Sequence, residues 1–220
     1  MNRHIPKNHL FFFFSILFSL SIFTACSNTV PDISNARLSI IFDYESYDAL
    51  PQARMSVFVE ANSNPRRFET ITVSSNKNEY VWEADDLIFA ADDNVKYCGF
   101  TNFVLPQNLQ IPSGEYTIIF RQSDDEQKEI KRNLNYDKTL YETKASDVAQ
   151  VMKKYYSTRM LTIYDNSKKV LYYGPRSADL SDARGIWNNY RDAAEFQESW
   201  VNQNGTVICN MPLEKVVPGN

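Results

Sequence analysis

The chain has 220 residues, a formal net charge of −4, three cysteines, two histidines and six glycines. Nucleic acid and anionic lipid surfaces carry negative charge, so an acidic protein is not attracted to either of them. None of the six glycines stands in a phosphate-cradling motif, so nucleotide binding has no support in the sequence.

Residues 1–25 have the layout of a secretory signal peptide. Arg3 and Lys7 supply a basic start, and residues 10–23 contain nothing but Leu, Phe, Ile and Ser. An apolar helix of this length spans about 21 Å, which is short of the roughly 30 Å hydrocarbon core of a bilayer. The segment is therefore interpreted as a cleaved leader.

Cys26 ends the sequence Phe23-Thr24-Ala25-Cys26, which resembles a bacterial lipobox. The resemblance implies cleavage before Cys26 and lipid attachment to its sulfur, with palmitate among the acyl chains. Two or three acyl chains at about 0.8 kcal/mol per buried CH₂ would hold the protein stably on a membrane. The alternative is an ordinary secretory peptide with a cysteine near its cut site.

Residues 26–35 are mostly polar, contain one proline and lack periodicity, which predicts a lipidated, flexible tether. Because Ser27 follows the cysteine, the lipobox resemblance implies a lipid-anchored protein of the cell envelope, on the outer membrane. Cleavage of the leader removes His4 and His9, so the mature chain has no imidazole for a Ser-His-Asp or Cys-His site. We therefore predict no catalytic residue, cofactor or metal site.

Residues 36–136 show alternation of apolar and polar side chains in short runs separated by polar turns. In the first run, Leu38, Ile40 and Phe42 share one face. Seven or eight such runs predict an antiparallel β-sandwich domain with one buried face per strand. The runs are RLSIIFD, RMSVFVE, FETITV, EYVWE, DLIFA, VKYCGFTNFVL, EYTIIFR and KEIKRNL.

The loop QIPSGEYT, residues 110–117, predicts a chain reversal just before a strand, because proline fixes one turn dihedral and glycine permits a positive φ. Its pattern Pro112-x-Gly114-x-Tyr116 resembles the strand entry of transthyretin-like and immunoglobulin-like envelope modules, with Tyr116 as a core or corner tyrosine. Together with the lipobox, the layout of residues 26–136 also resembles fimbrillin-like lipoproteins of Bacteroidetes-type bacteria.

From residue 137 the apolar period changes, which predicts a smaller α+β segment over residues 137–220. Val148, Met152 and Tyr155 recur at helical spacing. The runs RMLTIYD and KKVLYYG then predict a hairpin, and TVICNM predicts a final strand. A longer helix is predicted between hairpin and strand, capped by Ser181-Asp182 and carrying an apolar stripe of Ile186, Tyr190, Ala193, Ala194, Trp200 and Val201. The predicted fold class is therefore α+β, a β-sandwich followed by helix, hairpin, helix and strand.

Two cysteines remain after lipidation of Cys26, namely Cys98 and Cys209. In an oxidising compartment they are candidates for one disulfide between the two halves of the chain. The alternative is two separately buried free thiols.

Aromatic residues make up 14% of the chain and supply a candidate binding surface for sugar rings or for a protein partner. In adjacent pairs on a strand, one ring must point away from the core. The candidate surface consists of Tyr155, Tyr156, Tyr172, Tyr173 and Trp187.

Carboxylates offer one histidine-free route to catalysis, because glycoside hydrolysis needs two acids at a set separation. The acidic runs are Asp85-Asp86, Asp92-Asp93 and Asp124-Asp125-Glu126, all in predicted turns. The sequence is interpreted as a non-enzymatic envelope lipoprotein that binds or assembles with an unknown protein or glycan. Two alternatives stay open: a fimbrillin-like structural or accessory subunit, and a carboxylate hydrolase acting on glycans.

Overall fold

The computed structural model describes residues 33–61, 64–92, 95–106, 109–122 and 126–216. These residues belong to one compact unit, and 51% of them are in strands. The predicted leader and Cys26 lie outside the described residues. Ile33, at the end of the predicted tether, already belongs to the first strand.

The first eight strands are β1 (Ile33–Asp43), β2 (Gln52–Ala61), β3 (Phe68–Ser75), β4 (Val81–Ala84), β5 (Ile88–Asp92), β6 (Val95–Phe103), β7 (Gly114–Gln122) and β8 (Gln127–Leu134). They are followed by α1 (Val148–Lys153), β9 (Thr158–Tyr164), β10 (Val170–Pro175), α2 (Ala183–Asn189), β11 (Glu195–Val201), β12 (Val207–Asn210) and β13 (Glu214–Lys215). Short 3-10 helices occupy Pro65–Arg67, Lys138–Glu142, Ala145–Asp147 and Ala178–Leu180.

The strands form two sheets. The large sheet has the order β10-β9-β11-β12-β1-β2-β6-β5, with β13 pairing a second stretch of β11, and the small sheet has the order β4-β3-β7-β8. All eight runs predicted between residues 36 and 136 are strands.

One hydrophobic core lies between the two sheets, as expected for a β-sandwich. The alternating residues of the large sheet, Leu38, Ile40 and Phe42 among them, face Ile71 and Ile118 of the small sheet, and all five are buried. The prediction for the buried faces is therefore confirmed.

Tyr116 is also fully buried, and its hydroxyl donates a hydrogen bond to the Pro112 carbonyl oxygen at 2.6 Å. This bond reaches back over the turn that Pro112 and Gly114 create, and Gly114 has a φ of +148°. The arrangement has the geometry of a tyrosine corner, in which a strand tyrosine fixes the preceding loop.

The predicted α+β fold class is wrong, because the C-terminal segment is built mainly of strands. The predicted hairpin is present as β9 and β10, and Asp182 caps α2 by accepting a hydrogen bond from the Gly185 amide at 2.7 Å. The long second helix, however, stops at Asn189, and residues 195–201 form a strand between β9 and β12.

The buried carboxylate of Glu198 explains this error. Phe196, Glu198 and Trp200 occupy alternate positions on one face of β11. A glutamate at the middle position is expected to face solvent, so the alternation of buried side chains is hidden in the sequence. In the structure Glu198 is 6% exposed and forms ion pairs with Arg159 and Arg176. A charge is tolerated inside a protein when such partners satisfy it, and here the partners are distant in sequence.

Near the end of the chain, β12 pairs in parallel with β1, the first strand. Asp43 lies beside Asn210 in this register, and the Ile40 amide donates to the Thr206 carbonyl oxygen at 2.9 Å. The segment after residue 136 thus completes the large sheet.

A polar row crosses the outer face of five strands in the large sheet. Arg54 is at its centre and donates to Asp43 at 2.6 Å and to Thr101. Asn210 donates to Asp43 at 2.8 Å and accepts from Ser199 at 2.7 Å. We call these five residues the cross-strand ladder.

The two candidate disulfide residues are not brought together. Cys98 lies in β6 and Cys209 in β12, both fully buried and both free. Two strands separate them, which corresponds to about 14 Å across the sheet, whereas a disulfide needs Cα atoms within about 7 Å. The structure therefore has the alternative arrangement of two separate free thiols.

Burial keeps both thiols protonated, since it raises the pKa of Cys98 and of Cys209 to about 12. In a Cys26→Ser protein, we expect neither thiol to react with a thiol-specific reagent until denaturant is added, because the thiolate is the reactive form. Reaction time courses with and without denaturant check this. A folded protein with no titratable thiol even after unfolding would instead indicate a disulfide.

The cross-strand ladder gives a stability prediction. We expect Asp43→Ala to lower the free energy of unfolding by about 1–2 kcal/mol, because it leaves the guanidinium of Arg54 without its carboxylate. Asp48→Ala is the matched control: its side chain is 94% exposed and 3.9 Å from Lys144, so its loss should cost less than about 0.5 kcal/mol. The free energy of unfolding of both variants is measured by urea denaturation. An equal decrease in Asp43→Ala and Asp48→Ala would contradict a structural role for the cross-strand ladder.

Candidate functional site

The five aromatic residues predicted as one surface do not form one. Tyr155 packs against the main core, whereas Tyr172 and Trp187 pack against a second cluster beneath α2. The ring of Tyr172 lies 5.8 Å from that of Tyr190. Tyr156 and Tyr173 are exposed, at 83% and 64%, and no ring contact among the described residues joins the five into a platform.

The acidic runs are exposed to solvent wherever the structure describes their side chains. Asp85, Asp86 and Glu126 are exposed, and the side chains of Asp92, Asp93, Asp124 and Asp125 lie outside the described residues. In the part of the chain that the structure describes, no three His, Cys, Asp or Glu side chains are grouped as metal ligands. None of the described helices is long and apolar enough to cross a membrane.

A groove of about 690 Å³ lies where β1 ends and β2 begins, and we call it the distal groove. Its apolar walls come from the β1–β2 loop and from the segment after β6, and they include Leu50, Val104 and Leu109. The groove is about 30 Å along β1 from Ile33, at a rise of about 3.3 Å per residue. It therefore occupies the end of the sandwich opposite to the start of β1.

The floor of the distal groove is rigid and charged. Asp43 and Arg54 line it, and the cross-strand ladder holds both of them. Tyr141 forms part of the inner wall, with its ring 5.2 Å from Phe42 and its hydroxyl accepting from the Ile111 amide at 2.8 Å. Burial raises the pKa of Tyr141, so this hydroxyl stays neutral at physiological pH.

Two hydrogen bonds fix the β1–β2 loop at the edge of the groove. The hydroxyl of Tyr47 donates to Glu214 of β13, and the Tyr47 carbonyl oxygen accepts from the Ser146 amide at 3.2 Å. The hydrogen bond to Glu214 raises the pKa of Tyr47. The ion pair of Lys144 with Asp48 in the same loop is exposed to solvent and contributes little. The C-terminal strands thus help to position a wall of the groove.

The distal groove has an apolar rim that solvent reaches. Leu50 is 56% exposed, Val104 is 49% exposed and Leu109 is 47% exposed. Large apolar residues that are exposed singly are normal, but several around one concavity are typical of interaction sites. No sequence pattern predicts this grouping, because the three residues lie in loops that only the fold brings together.

A search against protein-family models found no family that matches this chain, and a search of curated proteins found no match either.

Proposed function

We propose that the protein is a non-enzymatic lipoprotein of the cell envelope that is attached to the outer membrane through Cys26 and binds a protein partner in its distal groove. The observation that supports this most is the apolar rim of Leu50, Val104 and Leu109 above a fixed, charged floor. Apolar cores with polar surroundings are the usual composition of protein–protein binding sites.

The position of the groove supports the same proposal. The proposed tether precedes β1, which begins at Ile33, and the groove lies at the other end of β1. A site at that end stays accessible when the chain is held by lipid at its N-terminal side. The groove walls come from loops on a rigid sheet, which is a common design of binding sites.

Assembly by strand addition is the second candidate, as in a fimbrillin-like structural or accessory subunit. The strand β10 is an edge of the large sheet, and it exposes Val170 at 50% and Tyr173 at 64%. An exposed edge can accept a strand from another chain through main-chain hydrogen bonds. Edge β8, by contrast, is rich in charged residues, a feature that opposes such pairing.

Val104→Glu is the test of the distal groove. We expect it to reduce the amount of the partner that co-purifies with the solubilised lipoprotein by at least about tenfold, because a buried, unpaired carboxylate opposes binding. Val95→Glu is the matched control, since Val95 is also an exposed valine, at 38%, but lies at the other end of the sheet. Quantitative mass spectrometry of the purified complexes measures both.

The same experiment separates the two candidates. Loss of the partner in Val170→Glu but not in Val104→Glu would favour strand addition at β10 and would contradict the groove. Equal recovery with all three variants would contradict both.

Lipid attachment is tested separately by labelling cells with palmitate. We expect the wild-type protein to incorporate label and Cys26→Ala to incorporate none, since the thioether forms on that sulfur. Ser27→Ala is the control, because it changes the neighbouring residue and leaves Cys26 in place. Label in the Cys26→Ala protein would overturn the proposed anchor.

A further inference from the structure

A second groove, of about 440 Å³, lies on the outer face of the large sheet, on the other side of the cross-strand ladder from the distal groove. We call it the outer groove. Its floor is formed by β1 and β2, where Arg37 lies beside Phe58 and Ser39 lies beside Ser56 in the register. Tyr97 of β6 and the turn at Gly205 form its two sides.

Arg37 is exposed to solvent and supplies a positive charge to this groove. Its guanidinium makes no hydrogen bond or ion pair with any described residue, and Nη1 lies 3.3 Å from the position a Cβ on Gly205 would take. Gly205 has a φ of +67°, so a glycine is favoured there, and its missing side chain leaves room for the guanidinium. The planar guanidinium fork is suited to bind a carboxylate through two parallel hydrogen bonds.

Hydroxyl groups line the floor beside this charge. Ser56 is 7% exposed and lies opposite Ser39, whose hydroxyl donates to the Gly205 carbonyl oxygen at 2.8 Å. A serine hydroxyl can both donate and accept, so Ser56 is able to bind a hydroxyl of a ligand in the groove. Tyr97 is half-buried and brings a second hydroxyl to the same groove.

The ring of Phe58 gives the groove an apolar surface. A Cβ on Gly99 would lie 2.5 Å from this ring, so the ring is seated directly on the glycine backbone of β6. An aromatic ring held in this way can contact the apolar face of another ring.

The β2 part of the floor offers no free backbone edge to a ligand, because β2 pairs with both β1 and β6 there. The pairing of β1 with β12 begins only at Ile40, beyond Arg37 and Ser39. The side chains of the floor are suited to a ligand with a carboxylate, hydroxyls and an apolar ring face.

We propose that the outer groove binds an acidic saccharide, with Arg37 binding the carboxylate of a uronic acid unit, Ser56 and Tyr97 binding sugar hydroxyls and Phe58 contacting the sugar ring. Glu60 lines the same groove, where it accepts from Asn35 at 3.3 Å. It is two residues from Phe58 along β2 and pairs with Asn35 in the register, so its carboxylate lies on the same face of the sheet, toward the start of β1. This site is separate from the distal groove.

Isothermal titration calorimetry with oligogalacturonate and with its fully methyl-esterified, neutral form tests the proposal. We expect the acidic form to bind at least tenfold more tightly, and binding to weaken as salt is raised. Arg37→Gln should weaken oligogalacturonate binding at least tenfold, whereas the control Arg184→Gln, which removes an exposed positive charge from α2, should not. Val104→Glu should leave this binding unchanged, because Val104 belongs to the distal groove.

Several outcomes would overturn the inference. These are no binding of oligogalacturonate, equal binding of the neutral form, or equal loss in the two arginine variants. Hexaglutamate binding as tightly as oligogalacturonate would indicate a site for acidic peptides, and inorganic phosphate or acetate competing at equal concentration would indicate a simple anion site. If Arg37→Gln does not fold by circular dichroism, Tyr97→Phe provides the test, with an expected loss of at least about threefold.

Discussion

The parallel pairing of β1 with β12 is the constraint on which both grooves depend. It places the turn at Gly205 beside Arg37, and it brings the C-terminal strands close enough for Glu214 to bind Tyr47. Parallel strands cannot be joined by a tight turn, so the whole intervening chain forms the connection. Strands β2 to β11 therefore lie between β1 and β12 in the sequence, although β1 and β12 are neighbours in the middle of the large sheet.

Two arginines on the outer face of this sheet differ in their partners within the chain. Arg54 is held by Asp43 and Thr101 and belongs to the framework. Arg37 lies on the neighbouring strand with its guanidinium over the backbone of Gly205 and without an anion. The desolvation of a charge is offset by a partner, so an arginine with its partner inside the chain is structural. An arginine without one is available to a ligand.

The eight strands before residue 136 were predictable because apolar side chains on a buried face alternate with polar side chains on the opposite face. Leu38, Ile40 and Phe42 form the buried face of β1. The prediction failed for β11 because Glu198 occupies a buried position that only Arg159 and Arg176 make tolerable. The predicted aromatic surface does not form, because its members pack in different places. Tyr155 packs against the main core and Tyr172 against the second cluster, and the sequence does not show these packing partners. Neither groove was predictable, since Leu50, Val104 and Arg37 come together only through strand register and loop placement.

The parallel pairing also fixes an order of events in folding. The hydrogen bond from Asn210 to Asp43 joins residues 167 positions apart, so it forms after nearly the whole chain has been made. Contacts of this range slow folding, because the entropy of closing a long loop is lost before the contact forms. Until β12 arrives, one edge of β1 has no partner and is open to strands of other chains. The strand that begins the sandwich thus has both neighbours only after one of the last strands of the chain has been made.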